Sequence, residues 1–285
     1  MLTAEATDRR FRNPHDIAAE LGCPIVGTAP EFSPIPDAEK REPTVGNMVY
    51  AFHKPTSNIT EIYRGVRTAL YFSTHGKSHK IIQVTSSSPG DGKSTLSANL
   101  SVCIAQSGKS VLLMDGDLRR PQVHKAFGVN NDVGLASVIG LDVDIDDAIA
   151  TTDVPNLYVM PSGPLPPDPS ELLSSHRLQE LLEVVREQYD YVVIDTGPLL
   201  AVTDPSVVAT RADGVVLAIR ITKNSRTQAR QSREMLNTLG ANLLGVFVNG
   251  VPVRGSGYGY GGEYDYSFTY KYRSHEAERQ ITSDT

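Results

Sequence analysis

Short apolar stretches alternate with stretches of helical periodicity from residue 81 onward. Continuous apolar runs of this kind are typical of strands that are buried on both faces of a parallel sheet. They begin at Ile81, Val111, Asn156, Tyr191, Gly214 and Leu243. Leucines spaced i, i+3 and i+4 from Leu178 predict one intervening helix, and residues 225–239 predict a polar one. Strands that alternate with helices predict an α/β fold, a three-layer α/β/α arrangement around a doubly wound, mainly parallel sheet.

The ends of the chain have a different character. Residues 14–21 predict a helix and residues 23–28 a short strand, whereas prolines and charges dominate residues 29–55 and indicate a linker. After residue 253 glycine and tyrosine predominate, which predicts a flexible tail. The predicted organisation is an N-terminal segment with linker over 1–56, an α/β domain over 57–253 and a tail over 254–285.

A glycine-rich stretch, SSSPGDGKST at residues 86–95, stands between the first predicted strand and a helix on which Leu96, Leu100 and Cys103 form an apolar face. Glycines let the backbone curl with its N–H groups pointing inward, and the helix start adds free donors and a positive dipole end. This is a phosphate-binding loop, or Walker A motif, with Ser87 in place of its first glycine. Lys93 is placed to reach the β- and γ-phosphates, and Ser94 to bind Mg²⁺. The predicted ATP-binding residues in this loop are Pro89, Gly90, Asp91, Gly92, Lys93, Ser94 and Thr95.

Two later strands end in carboxylates. Asp115 and Asp117 follow the run 111–114, and Asp195 follows the run 191–194. Ligands of open α/β sheets bind at the carboxyl ends of strands, so we expect these acids near the loop. Asp195 matches a Walker B carboxylate, which holds Mg²⁺ in phosphate-loop nucleotidases. The pair two residues apart suits Mg²⁺ binding or proton abstraction, although Asp-Gly-Asp also suits a plain turn.

Two further features have alternative interpretations. Asn249 follows the last predicted strand, where its amide would read the adenine edge, or where Asn-Gly merely forms a turn. On the helix that Ser57 or Asn58 would cap, Glu61, Arg64 and Arg67 share one face. Spacing alone favours an outward-facing, solvated stripe with an i,i+3 ion pair.

The bulk composition argues against several classes of function for this chain. The net charge of −6 and pI near 5.7 argue against a nucleic-acid-binding surface. The seven histidines have no zinc-type spacing, and the two cysteines fit a reduced, cytosolic protein. No apolar run approaches the length of a membrane span.

Half of the twelve tyrosines lie in the tail. Composition alone favours a weakly stacking aromatic tail and a modification cluster about equally. On a tether beside an ATP-binding domain, the phenolic hydroxyls are candidate phosphate acceptors. They belong to Tyr258, Tyr260, Tyr264, Tyr266, Tyr270 and Tyr272.

These motifs, in this order, resemble the bacterial tyrosine kinases, specifically the cytoplasmic domain of capsule and exopolysaccharide chain-length regulators. The resemblance covers nearly the whole chain. It rests on the Glu61-x-x-Arg64-x-x-Arg67 stripe, the Walker A loop, Asp115-Gly-Asp117-Leu-Arg-Arg-Pro as a second Walker A-like motif, PSGPLPPDPSELL at 161–173, Ile194-Asp195-Thr as Walker B and the terminal tyrosines.

The resemblance implies a P-loop fold like that of MinD and ParA and an ATP- and Mg²⁺-dependent protein-tyrosine kinase. It also implies autophosphorylation of the tail in trans, within a homo-oligomeric ring that the stripe of Glu61, Arg64 and Arg67 helps to form. Implied partners are a membrane chain-length regulator or adaptor and a cognate tyrosine phosphatase, with no nucleic acid. The implied location is the cytoplasmic side of the bacterial cell membrane, reached through an adaptor or a transmembrane segment outside this sequence.

The resemblance also assigns roles within the site. Lys93, Asp115, Asp117 and Asp195 would be catalytic, and Ser94, Asp117 and Asp195 would hold the metal. Asp115 is the candidate that orients or deprotonates the tyrosine hydroxyl, whose pKa is ordinarily near 10.

Two alternatives stay open. A ParA/MinD-like positioning ATPase shares the fold, but it carries a second lysine early in the loop, where this chain has Ser88. Such ATPases also typically have an amphipathic C-terminal helix, whereas the sequence of residues 273–285 in this chain is polar throughout. A catalytically idle, nucleotide-gated scaffold for polysaccharide export would use the same binding groups.

Overall fold

A computed structural model describes residues 11, 14–42, 44–73 and 79–252. The six predicted acceptor tyrosines lie outside the described residues. None of the described helices is both long and apolar enough to cross a membrane.

One eight-stranded sheet organises the fold, and its strands lie in the order β1-β8-β7-β2-β6-β3-β5-β4. All neighbours pair in parallel except β4, which is antiparallel to β5 at one edge. The predicted doubly wound, mainly parallel sheet is confirmed. The strands are β1 (Ile25–Ala29), β2 (Ile81–Ser86), β3 (Val111–Asp115), β4 (Ala150–Thr151), β5 (Leu157–Met160), β6 (Tyr191–Pro198), β7 (Gly214–Arg220) and β8 (Leu243–Asn249).

Helices cover both faces of this sheet, and apolar clusters lie on each side of it. Short 3₁₀ turns span Asp37–Glu39 and Asp146–Ala148. The helices are α1 (Pro14–Leu21), α2 (Tyr50–His53), α3 (Asn58–Ser73), α4 (Lys93–Ala105), α5 (Val123–Phe127), α6 (Leu135–Leu141), α7 (Pro169–Ser174), α8 (His176–Gln188), α9 (Asp204–Ala209) and α10 (Ser225–Thr238).

The helix after the glycine loop, α4, is buried on every side rather than on one apolar face. Its residues from Leu96 to Ala105 are all buried, polar ones included. Asn99 accepts a hydrogen bond from the Ala51 amide at 2.9 Å and donates another to the Met48 carbonyl at 2.8 Å. The buried Ser101 hydroxyl has no hydrogen-bond partner among the described residues. The helical periodicity of α4 predicts one buried apolar face, whereas the packing around the helix buries it on all sides.

The stretch predicted as a linker contributes to this packing. Val45, Val49 and Phe52 are buried in the same apolar cluster as α4, and α2 lies against it. Upstream, the predicted N-terminal strand becomes β1, which extends the sheet beside β8. The boundary at residue 56 stays a prediction, but much of the sequence before it belongs to the core.

The central strand β2 is anchored at its start by one carboxylate. Asp213 accepts hydrogen bonds from the Lys80 and Ile81 amides at 2.9 and 2.8 Å, and a bidentate pair from Arg186 at 2.9 and 2.7 Å. Burial would raise the pKa of Asp213, but the Arg186 guanidinium and the two amides outweigh it and lower that pKa.

Replacing this carboxylate by an amide, Asp213→Asn, should reduce the free energy of unfolding at pH 7 by about 1–3 kcal/mol, because a charge-assisted pair and one acceptor position are lost. A lowered folded-state pKa means that the stabilisation is present above the ordinary value of 3.8 and is lost as the pH falls through the folded value. Urea titrations at several pH values should therefore show the difference from wild type shrinking below about pH 4.

Asp142→Asn is the matched control, since Asp142 forms an exposed ion pair with Arg177. It should change stability by less than about 0.5 kcal/mol. An Asp213→Asn protein as stable as this control at pH 7 would contradict the assigned role.

Candidate active site

The glycine loop between β2 and α4 has the backbone shape that phosphate binding needs. Gly90 and Gly92 have φ values of 85° and 95°, which side-chain-bearing residues rarely adopt. A Cβ on Gly92 would lie 2.4 Å from the Asn249 amide nitrogen. The loop can therefore hold this curl only with glycine at position 92.

Asn249, the last residue of β8, supports the loop in this structure. Its Nδ2 donates a 2.7 Å hydrogen bond to the Asp91 carbonyl oxygen. This contact differs from both predicted roles of Asn249, a plain Asn-Gly turn and recognition of adenine. The adenine contact stays a prediction. Nothing in the sequence signals this pairing, because 158 positions separate the two residues.

Ser87, which replaces the first glycine of the motif, has a partner of its own. The side chain is buried, and Ser232 on α10 donates a hydrogen bond from its Oγ to the Ser87 Oγ at 2.9 Å. A glycine could not make this contact. The departure from the usual motif therefore ties the loop to α10.

Asp91 closes the loop from within. Its Oδ2 accepts the Ser88 amide at 2.8 Å. Burial raises the pKa of Asp91 to about 6, against the opposing effect of the Ser88 amide. Asp91 thus shapes the loop by a side-chain contact, while its carbonyl is held by Asn249.

Lys93, the first residue of α4, faces the predicted acids. Its Nζ lies 2.8 Å from Asp117 Oδ2 and 3.5 Å from Asp195 Oδ2. Burial would lower the pKa of Lys93, but the charges of Asp195 and Asp117 raise it above its ordinary value. The ammonium group is therefore held charged beside two of the predicted acids.

Asp195 near the middle of β6 is fully buried and joined to α4 by two hydroxyls. Ser94 donates to its Oδ2 at 2.6 Å, and Ser97 donates to its Oδ1 at 3.1 Å. Burial raises the pKa of Asp195, while Lys93 and Ser94 act in the opposite direction. Ser97 is a site residue that the motif alone does not identify, because only the packing of α4 on β6 brings it there.

Asp115 organises the loop that follows β3. It has no exposed surface, and it accepts backbone N–H groups from Asp117 at 3.2 Å, Gln122 at 2.9 Å and Val123 at 2.8 Å. Burial, with the neighbouring Asp195 charge, raises the pKa of Asp115 to about 7. Both of its carboxylate oxygens are already engaged in holding this loop.

Asp117 lies closer to the surface of the site, 6% exposed. Its Oδ1 accepts the Arg120 amide at 3.0 Å, and its Oδ2 faces Lys93. Each of its oxygens thus has one partner, and one of those partners is the mobile end of a lysine side chain.

Arg119 fixes the other side of this loop. Its guanidinium makes a bidentate pair with the buried Asp204 at the start of α9, at 2.7 and 3.1 Å, and Ser170 on α7 donates to the same carboxylate at 3.0 Å. Arg119 stands in the motif that the sequence singles out, but its partners are 51 and 85 positions away and carry no local signal.

These donors fit a nucleotide with Mg²⁺. Magnesium binds through one or two carboxylates together with substrate phosphates, and it prefers oxygen ligands. Ser94, Asp117 and Asp195 offer oxygens around Lys93, and the curled loop offers amides for phosphates. No group of three or more His, Cys, Asp or Glu side chains in the described ranges forms an all-protein metal cage.

The Glu61–Arg64–Arg67 stripe lies away from this cluster. Arg64 pairs with Glu61 on the surface, but Arg67 is half-buried and donates a 2.9 Å hydrogen bond to the Cys103 carbonyl. The expected outward stripe is therefore only partly outward, because Arg67 reaches back to α4. Cys103 lies ten residues beyond Lys93 on α4, about 15 Å along its axis.

Comparisons with known proteins agree with this geometry. The AAA domain family matches residues 79–241, more than half of the chain. Tyrosine-protein kinase YwqD of Bacillus subtilis is 44% identical over 202 residues, which cover 71% of this chain and 85% of YwqD.

Solved structures show the same fold. The kinase domain of the Escherichia coli tyrosine kinase ETK superposes with a TM-score of 0.79 and 32% identity, covering 88% of this chain and all of that domain. The septum site-determining protein MinD of Pyrococcus horikoshii, complexed with Mg-ADP, has a TM-score of 0.53 and 26% identity over 60% of this chain and 70% of MinD. The likeness to MinD confirms the P-loop fold class. Together with the lysine and carboxylates gathered beside the glycine loop, the similarity to YwqD and ETK shows that this chain belongs to the family of bacterial tyrosine kinases.

Proposed function

We propose that this chain transfers the γ-phosphoryl group of ATP to tyrosines of its own tail, in trans within a homo-oligomer, and thereby regulates capsule or exopolysaccharide polymerisation and export. The observation that carries the proposal is the Lys93 ammonium, which lies between Asp117 and Asp195 at the end of the glycine loop. The similarity to named tyrosine-protein kinases supports tyrosine as the acceptor.

Phosphoryl transfer demands positioning and charge stabilisation more than covalent work by the protein. The loop amides and Lys93 would hold the β- and γ-phosphates, with Thr95 beside the α-phosphate. Ser94, Asp117 and Asp195 would hold Mg²⁺, which neutralises charge on the phosphate oxygens when bound. Asn249, through Asp91, would keep the loop in shape beside the base.

In the transfer itself, the phenol oxygen forms a bond to the γ-phosphorus as the bond to the ADP oxygen breaks, and the phenol proton passes to a carboxylate. Asp115 remains the proposed acceptor of that proton. A pKa near 7 suits the role, but its oxygens hold three amides, so the loop after β3 must shift before a phenol can reach it.

Proposed partners follow from the same family. A membrane chain-length regulator or adaptor would hold the kinase at the cytoplasmic face of the membrane, and a tyrosine phosphatase would reverse the modification. The acidic composition supports the absence of nucleic acid from this set.

Incubation with MgATP should place phosphate on several of the six tail tyrosines, as mapped by mass spectrometry. Lys93→Met should lower the labelling rate more than about 100-fold, because it removes a charge aimed at the phosphates. Lys109→Met is the control, since Lys109 lies before the amino end of β3, away from the strand's carboxyl end that carries Asp115, and pairs on the surface with Asp190.

An unmodified tail in a wild-type protein that binds ATP would contradict the kinase proposal. ATP hydrolysis with an unmodified tail would favour the positioning ATPase, and binding without turnover would favour the idle scaffold.

Asp115→Asn separates the two roles of that carboxylate. A proton acceptor would lose turnover by about 100-fold or more while its melting temperature changed little. A purely structural anchor would lose about 1–3 kcal/mol of stability, since an amide offers one acceptor oxygen to three donors. Asp117→Asn, measured alongside for single-turnover transfer and thermal unfolding, shows which acid the transfer step depends on. Unchanged transfer in Asp115→Asn would remove the proton-acceptor role.

The trans arrangement is tested by mixing two chains. One carries Lys93→Met with an intact tail, and the other is active but has phenylalanine at the six tail tyrosines. Labelling of the first chain requires transfer between subunits. Arg67→Ala in both chains should reduce this labelling about tenfold and lower the oligomer mass measured by light scattering, because a half-buried interface arginine is lost. Arg177→Ala, a surface arginine paired with Asp142, is the control, and an unaltered oligomer in Arg67→Ala would exclude the stripe from the interface.

A further inference from the structure

A groove beside the active-site loop is lined by cations. It is open, has a volume of about 580 Å³, and is lined by Arg119, Arg120, His124 and Lys125 together with Pro164 and Leu165. No carboxylate is among its lining residues. We call this surface the basic groove. Its size is within the range of small-ligand and short-peptide sites.

Two cations of the basic groove have no ion-pair partner among the described residues. Arg119 is neutralised by Asp204, whereas the exposed Arg120 and Lys125 form no ion pair with any other described residue. On a protein with a net charge of −6, two adjacent uncompensated cations mark a place that attracts an anionic group.

The basic groove is continuous with the site. The amide of Arg120 is 3.0 Å from Asp117 Oδ1, and the amide of Gln122 is 2.9 Å from Asp115 Oδ2. One wall of the groove is therefore the same loop that carries Asp117. Asn131, another lining residue, fixes the backbone before Pro164: its Oδ1 accepts the Gly163 amide at 3.0 Å and the Ser162 hydroxyl at 3.1 Å.

The groove also has an apolar part that suits an aromatic ring. Leu165 is 60% exposed and Pro164 is exposed beside it. His124 lines the groove, and burial together with Lys125 lowers the pKa of its imidazole, which keeps the ring neutral at pH 7. The His124 Nδ1 is buried without a hydrogen-bond partner in the described part of the chain, an uncommon state for a buried polar atom.

We propose that the basic groove binds the acidic residues Glu263 and Asp265 that flank Tyr264 in the tail, and so selects the tyrosines of this segment for phosphorylation. The inference deepens the proposed kinase function and rests on it. Glu263 and Asp265 are the only charged residues between positions 255 and 270, so their charge complements that of Arg120 and Lys125. A peptide seated there would place its neighbouring tyrosine next to the Asp117 loop.

The test uses a full-length enzyme whose own tail cannot compete. Its six tail tyrosines are replaced by phenylalanine, and it carries Glu263→Gln and Asp265→Asn. Two synthetic acceptor peptides span residues 258–268, one with the natural sequence and one with the same two acids neutralised. Steady-state phosphorylation gives KM and kcat for each, and anisotropy of fluorescein-labelled peptides gives binding without ATP.

The natural peptide should have a KM about tenfold lower than the neutral one, with similar kcat, because two exposed charge pairs are lost in the latter. Arg120→Gln combined with Lys125→Gln should raise the KM of the natural peptide about tenfold and abolish the difference between peptides. The preference should also weaken as the salt concentration rises. Lys109→Gln, before the amino end of β3, should leave the preference for the natural peptide intact.

Equal KM and equal anisotropy affinity for the two peptides, or a preference that survives the double substitution, would overturn the proposal. Phosphorylation of both peptides at equal KM would leave the kinase function standing while this inference fails. If neither peptide is phosphorylated, the labelling of the wild-type tail decides the kinase proposal, and the ATP-free anisotropy decides the groove. Charge-dependent binding that the double substitution abolishes supports the groove, and its absence rejects it.

Discussion

The ion pairing of Lys93 with Asp117, just after β3, and with Asp195 on β6 is the interaction on which the rest of the site depends. One buried ammonium faces Asp115, Asp117 and Asp195, so the cluster carries more negative than positive charge. Buried charges are costly unless they are paired, and the raised pKa values of Asp115 and Asp195 express this cost. The acidic cluster therefore needs the positive charge of Lys93, or of another cation that supplies part of that charge.

In the proposed function, this charge balance would link nucleotide binding to metal binding. A triphosphate would add negative charge and attract Lys93, so Asp117 and Asp195 would lose part of their counter-charge. A divalent cation among the same oxygens would offset both changes. In the structure, the hydroxyls of Ser94 and Ser97 hold Asp195 in place.

The sequence predicts the parts of this arrangement that are local. The apolar runs identify the central strands because such strands are buried on both faces, and the glycine loop is recognisable because Gly90 and Gly92 need positive φ. Contacts between distant segments leave no such pattern. Asn249 supporting Asp91, Ser232 bonding to Ser87, and the packing of residues 45–53 on α4 all depend on elements that meet only after folding.

The position of Arg67 illustrates why spacing alone misplaces a side chain. Helical periodicity puts Arg67 on the same face as Glu61 and Arg64, and a charged face is ordinarily solvated. An arginine has a long apolar stem, however, and its guanidinium can reach a carbonyl left unpaired at the end of a neighbouring helix. Arg67 uses the Cys103 carbonyl in this way, about 15 Å along α4 from Lys93. The stripe is therefore anchored near the carboxyl end of α4, whereas the phosphate loop lies at the amino end of the same helix.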